Sequence, residues 1–191
     1  MGKKYGYIIG RFSPVTKGHE KLIQYALTKV DVLLILVGSA DKKNTFRNPF
    51  SIETRMRLLT KIYKDEIENK QIILAPLNDL TEETDIQGGK WGKYLIQNVE
   101  KILKRKPDYS IYGEEESRKY WFNKEDVINI EDIILKRTEE DISATKVREI
   151  IAKNDYENFK KFVNSKIYED YNDIRNELLE TKEYLEISRG R

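Results

Sequence analysis

Short apolar runs and amphipathic stretches take turns along most of this chain, and that alternation leaves few folds open. Five runs, Tyr5 to Ile9, Val32 to Val37, Gln71 to Ala75, Tyr109 to Tyr112 and Val127 to Ile130, have the density of strands buried on both faces. Between them Leu22, Ile23, Ala26 and Leu27 share one helical face, as do Ile52, Met56, Leu59 and Tyr63, and then Tyr94, Leu95, Val99, Ile102 and Leu103. A helix between two such strands returns the chain to the same edge of the sheet by a right-handed crossover. The expected fold class is therefore α/β, a doubly wound five-stranded parallel sheet with helices on both faces. Ligands of such sheets sit beyond the carboxyl ends of the strands where the winding reverses. That places a site after strands one and four, which Gly10 and Gly113 end.

The chain has 191 residues, enough for one α/β domain and a helical appendage, not for two enzymatic domains. After Asn154 the pattern changes to Tyr156, Phe159, Phe162 and Val163, then Ile167, Tyr171, Ile174 and Leu178, spaced as amphipathic helices. The expected division is 1–154 for the α/β domain and 155–191 for a C-terminal helical extension packed on it. Thr81 to Lys90, with one large apolar residue and two adjacent glycines, reads as a long loop.

Thirty-five basic and 33 acidic residues leave a net charge of +2 with no long block of either sign, which argues against nucleic acid or a membrane surface as partner. No apolar run approaches the roughly 18 residues a membrane span needs, and the amino end lacks the pattern of a secretion signal. A cytoplasmic location is the expectation. With no cysteine and a single histidine, disulfides, thiolate catalysis and multi-histidine zinc sites are excluded.

Two segments carry chemistry. GRFSPVTKGHEKL, Gly10 to Leu22, joins the first strand to the first helix, with Gly18 and His19 where the helix should begin. Free N–H groups and the positive end of the helix dipole make such a start an anion site. His19 can donate to a phosphate oxygen there and Thr16 can add a hydroxyl; the same histidine also reads as a capping or surface residue. ISATKVREII, Ile142 to Ile151, puts Ser143 at an N-cap, Thr145 in the first turn and Arg148 one turn later, with Val147, Ile150 and Ile151 on a buried face. An ordinary capped helix has the same look when this segment is taken alone.

Taken as a pair, the segments resemble the signatures of the cytidylyltransferase-like nucleotidyltransferases: HxGH or TxGH after strand one, and ISxTxxR near the domain's end. Here they stand as Thr16-Lys17-Gly18-His19 and Ile142 through Arg148. The stretch VGSADKKNTFRNPFSIETRM, Val37 to Met56, the GRFSP opening with Arg11, the Pro76 to Leu80 segment and Trp91 resemble the archaeal-type nicotinamide-mononucleotide adenylyltransferases and their bifunctional bacterial relatives. Thr16 stands where that branch usually has a first histidine, as in phosphopantetheine adenylyltransferases. No Nudix motif follows.

The resemblance implies a Rossmann-like nucleotidyltransferase fold and in-line transfer of AMP from ATP, bound with Mg2+, to nicotinamide mononucleotide, giving NAD and pyrophosphate. It implies His19, Arg148 and Thr16 as the catalytic group. Gly10, Arg11, Phe12, Ser13, Gly18, Tyr112, Gly113, Ser143 and Thr145 are implied for ATP, and Arg47, Asp79 and Trp91 for the mononucleotide, with Trp121 as an alternative stacking residue. Nicotinate mononucleotide or phosphopantetheine as acceptor, and a nucleotide-sensing module without catalysis, stay open. A homo-oligomer is expected from the resemblance and the aromatic tail. The acidic runs Glu114 to Glu116 and Glu139 to Asp141 read as solvated charge, so no metal site on the protein is assigned.

Overall fold

The structure, a computed structural model, describes residues 2–80, 89–114, 118, 120–136 and 143–190. Most of the expected long loop, part of Glu114 to Glu116, the run Glu139 to Asp141 and Ile142 lie outside the described residues. In chain order the elements are β1 (Tyr5–Gly10), α1 (Lys17–Leu27), β2 (Val32–Val37), α2 (Ile52–Ile62), α3 (Lys64–Glu68), β3 (Ile72–Pro76), α4 (Lys90–Leu103), β4 (Tyr109–Gly113), β5 (Glu131–Leu135) and α5 (Ala144–Ala152). Then follow α6 (Tyr156–Phe162), a 3₁₀ helix over Ser165–Asp170, α7 (Tyr171–Leu178) and α8 (Lys182–Ser188).

The strands form one parallel sheet in the order β3-β2-β1-β4-β5. From β1 the chain winds one way to β2 and β3, and then crosses back to β4 on the other side of β1. The winding therefore reverses between β1 and β4, as the alternation of the sequence implied. Every residue of β2, the run VLLILV, is buried, because helices cover both faces of the sheet. Tyr7, Ile9, Leu34 and Leu36 face one layer, where Leu95, Ile96, Val99 and Leu103 of α4 cover them. Ile8, Leu33, Ile35 and Val37 face the other, packed with Ile23 and Ala26 of α1, Leu58 and Leu59 of α2, and Val147 and Ile151 of α5.

That second layer continues without a break into Phe159, Ile167, Ile174, Leu178 and Tyr184 of the C-terminal helices. Polar contacts reinforce the junction: Lys61 of α2 reaches Asp170 at 2.8 Å, and Arg57 also pairs with that carboxylate.

The expected strand over Val127 to Ile130 is corrected. Those residues form turns, with Asn129 in the left-handed region at φ 63, and the fifth strand is Glu131–Leu135, paired from Tyr109↔Glu131 to Gly113↔Leu135. As an edge strand, β5 is only partly covered, so Glu131, Asp132 and Ile134 stay exposed and the unbroken apolar run of an inner strand is missing.

Candidate active site

At the carboxyl ends of β1, β2 and β3 the turns are tied into one rim. The Gly38 N–H donates to the Gly10 carbonyl at 2.9 Å, and the Ala40 N–H to that of Leu77 at 3.0 Å. Arg55 of α2, 1% exposed, adds the strongest ties. Its Nη1 donates to the carbonyls of Gly38 at 2.7 Å and Arg11 at 3.1 Å, and Nη2 to that of Ser39 at 3.0 Å. Burial pulls this guanidinium below its ordinary value, yet an arginine stays charged at any physiological pH. Two residues of the rim, Phe12 and Ser39, hold φ near 49, a conformation that non-glycine residues seldom adopt. Ser13–Pro14 is a cis peptide.

Further along the rim the Ser39 hydroxyl donates to Asp79 Oδ1 at 3.0 Å, and the Asp79 N–H to Asp41 Oδ1 at 2.9 Å. Burial pushes the Asp41 carboxyl up, but the Asp79 N–H and the Lys42 ammonium outweigh it and hold the group below the usual carboxylate range.

At the other end of the first turn, Thr16 caps α1. Its backbone N–H donates to His19 Nδ1 at 3.1 Å, and its hydroxyl lies 2.9 Å from the same nitrogen. A backbone N–H can only donate, so Nδ1 is an acceptor and the imidazole proton belongs on Nε2. Thr16 is 2% exposed, and its hydroxyl is engaged with His19.

The second motif arrives on α5. The Ser143 side chain accepts from the Lys146 N–H and so caps the helix. Arg148, 5% exposed, donates from Nη1 to the Ser13 carbonyl at 2.6 Å, from Nη2 to Thr145 Oγ1 at 3.0 Å and from Nε to the Tyr184 hydroxyl at 2.5 Å. The two motifs thus touch directly.

Between them lies a cleft of about 640 Å³. Gly10, Arg11, Phe12, Ser13, His19, Arg47, Asp79, Trp91, Trp121, Thr145 and Arg148 line it, and among the residues that sequence reasoning passed over Ser39 and Phe46 do so too. Both tryptophans that were weighed for stacking reach it. Gly18, Gly113 and Ser143 do not line it, and neither does Tyr112, which belongs instead to a second cleft of about 650 Å³ with Ser110, Arg118 and Asp132. The Tyr112 hydroxyl donates to Asp132 at 3.0 Å, and burial together with that carboxylate pushes the phenol up to about 12. Arg118 lies 4.4 Å from the Tyr112 ring centre and 5.2 Å from that of Trp121.

Tyr184 carried no signal that a single sequence exposes, since its partners Arg148 and Phe46 are far along the chain, and Phe46 and Arg55 lay within the Val37 to Met56 stretch with nothing to single them out. Among the described residues no three His, Asp or Glu side chains gather as metal ligands, and no helix is long and apolar enough to cross a membrane.

Comparisons with known proteins agree with this architecture. Residues 7–150 match the model of the Cytidylyltransferase-like family. The nicotinamide-nucleotide adenylyltransferase of Thermococcus kodakarensis is 33% identical over 97 residues, 50% of this chain and 49% of that protein. The enzyme of the same name from Pyrococcus horikoshii is 37% identical over 75 residues, 39% of this chain and 40% of that one. These alignments thus span about half the length of the curated relatives, or less. Among solved structures, a bifunctional NMN adenylyltransferase/ADP ribose pyrophosphatase from Francisella tularensis, complexed with AMP and a manganese ion, shares the fold with a TM-score of 0.69 at 23% identity. The match covers 98% of this chain and 52% of that one.

Proposed function

We propose, because the chain belongs to the cytidylyltransferase-like family, that it transfers the AMP part of ATP to nicotinamide mononucleotide, forming NAD and releasing pyrophosphate. One observation carries the proposal: His19 at the start of α1 and Arg148 of α5 line a single cleft and are joined through the turn between them, in which Ser13 accepts from Arg148. The names of the archaeal relatives support the choice of acceptor.

In this reading the 5′-phosphate of the mononucleotide attacks the α-phosphorus of ATP in line, the bond to the β-phosphate oxygen breaks, and no covalent intermediate with the protein forms. The protein supplies position and charge. His19 Nε2–H and the start of α1 stabilise the negative charge that grows on the α-phosphate, and Arg148 that on the leaving pyrophosphate. Thr16 acts behind His19 by fixing its tautomer. Arg11 and Arg47 hold phosphates with guanidinium forks, Thr145 and Ser143 serve the β- and γ-phosphates, Asp79 accepts from the carboxamide, and Trp91 or Trp121 stacks on the ring.

Magnesium enters with ATP. It is a hard cation that takes phosphate oxygens and water readily, so the polyphosphate itself serves as the main ligand. The reading extends to a cytoplasmic enzyme that works as a homo-oligomer.

The test supplies ATP and Mg2+ with nicotinamide mononucleotide, nicotinate mononucleotide or phosphopantetheine in turn and measures pyrophosphate and the adenylylated product. NAD formed at the highest kcat/KM is the expected result. Preference for another acceptor would replace the substrate and keep the reaction, whereas no pyrophosphate with any acceptor would leave a nucleotide-binding module.

A further inference from the structure

The Tyr184 side chain of α8 is completely buried, 36 positions from Arg148 and 138 from Phe46 in sequence, yet it touches both. Its hydroxyl accepts from Arg148 Nε at 2.5 Å and donates to the Phe46 carbonyl at 2.9 Å. Its ring stacks on that of Phe46, with centres 5.2 Å apart and planes 11° from parallel. Phe46, Arg47 and Arg148 line the cleft, while Tyr184 does not line it and is bonded to Phe46 and Arg148. A core tyrosine needs only one partner for its hydroxyl. This one bonds two residues that both line the same cleft and lie 102 positions apart in sequence.

We infer that Tyr184 is a positioning residue for the transfer: its hydroxyl sets the orientation of the Arg148 guanidinium, and its ring and hydroxyl together hold the turn that presents Phe46 and Arg47 to the cleft. The inference rests on the reading of that cleft as a site of adenylyl transfer. The hydroxyl has to stay protonated to donate to a carbonyl, and burial, which raises this phenol, keeps it so. Arg148 has its other two nitrogens committed to Ser13 and Thr145, so the bond at Nε is the third point that fixes the plane of the fork. A plane needs three points. The C-terminal helices would thereby reach the chemistry without contributing a group that contacts substrate.

The experiment uses the full chain with Tyr184→Phe, Tyr184→Leu, Arg148→Lys and the double variant Arg148→Lys/Tyr184→Phe, and measures turnover, ATP affinity by calorimetry and thermal unfolding. Tyr184→Phe keeps the ring in its slot and should lower kcat about tenfold, the worth of one hydrogen bond to a charged group, and raise KM for the mononucleotide only slightly, since the stacked ring still holds the turn when the bond to the Phe46 carbonyl is lost. Tyr184→Leu should in addition raise that KM several-fold, because Phe46 loses its stacking partner. In the Arg148→Lys background Tyr184→Phe should cost less than about twofold, since the Nε bond is already gone.

An unchanged kcat in Tyr184→Phe, or equal losses in both backgrounds, overturns the inference. Should Tyr184→Leu fail to fold, Tyr184→Phe still decides. If the native chain binds ATP but adenylylates none of the acceptors, the transfer reading falls, and the same cycle read in ATP affinity tests the tie to Arg148: coupled losses support it and additive ones overturn it. If the native chain binds no ATP, both fall.

Discussion

Arg148 Nη1 donates to the carbonyl oxygen of Ser13 at 2.6 Å, bridging 135 positions of sequence. Through that one bond the loop after β1 and the helix α5 become parts of the same wall. The guanidinium is buried and makes three hydrogen bonds, so it holds the loop in addition to the role on phosphate proposed for it.

Arg148→Ala should therefore have two effects that separate by measurement. Turnover should fall by about 100-fold or more, as expected when a preorganised donor to a transition state is removed. Stability should also fall, by about 1–3 kcal/mol, because the Ser13 carbonyl loses its buried partner. Steady-state kinetics and urea unfolding report the two losses independently. Full turnover in the variant would remove Arg148 from the mechanism.

The imidazole gives a different pattern. His19 lines the cleft and is half-buried, so His19→Ala should reduce turnover by about 100-fold or more and, because Nδ1 no longer accepts the Thr16 N–H at the cap of α1, cost only about 1 kcal/mol of stability. Thr16→Val keeps the backbone N–H that fixes Nδ1 as an acceptor and removes only the hydroxyl, so its loss in turnover should be closer to tenfold, the scale of one hydrogen bond. A Thr16→Val variant as damaged as His19→Ala would mean that the hydroxyl itself contacts substrate.

Why this much could be read from sequence, and no more, follows from the physics of each residue. Strands β1, β2 and β4 were legible because an inner strand covered on both faces is largely apolar, the edge strand β3 because its run Ile72 to Ala75 carries no charge, and Ser143 because an N-cap is a local arrangement. Strand β5 was misplaced because an edge strand carries charge on its open side, while the apolar residues just before it, Val127 to Ile130, pack as turns. The motif residues His19 and Arg148 were found through family resemblance. Tyr184 and Arg55 were not, because their partners lie 36 and up to 44 positions away and no periodicity encodes such pairs.

Arg55 illustrates the cost of missing one. Among the described residues no carboxylate is bonded to it, and it satisfies the carbonyls of Arg11, Gly38 and Ser39 at once. Arg55→Leu would leave those oxygens without their donor in a buried place, and about 3 kcal/mol of stability should go with it. Since Arg11 and Ser39 belong to the cleft, KM for ATP should rise as well. Chemical denaturation and initial rates check both. A variant of native stability would show that the rim holds itself together without the guanidinium.

Gly92 offers the sharpest steric test. Its N–H donates to the Trp121 carbonyl at 3.0 Å, and a Cβ built on it would stand 2.1 Å from that oxygen and 2.6 Å from Phe122 Cδ1. A backbone oxygen cannot swing aside as a side-chain tip can. Gly92→Ala must therefore move either the first turn of α4, which carries Trp91, or the segment that carries Trp121, and both rings line the cleft. Overpacking of this kind costs about 1–3 kcal/mol, and KM for the mononucleotide should rise while kcat changes little, because the groups proposed to act on the phosphates lie on other elements. The chain has two tryptophans, at these two positions, so intrinsic fluorescence reads the displacement directly. A shifted emission maximum together with a native KM would mean that neither ring holds the base.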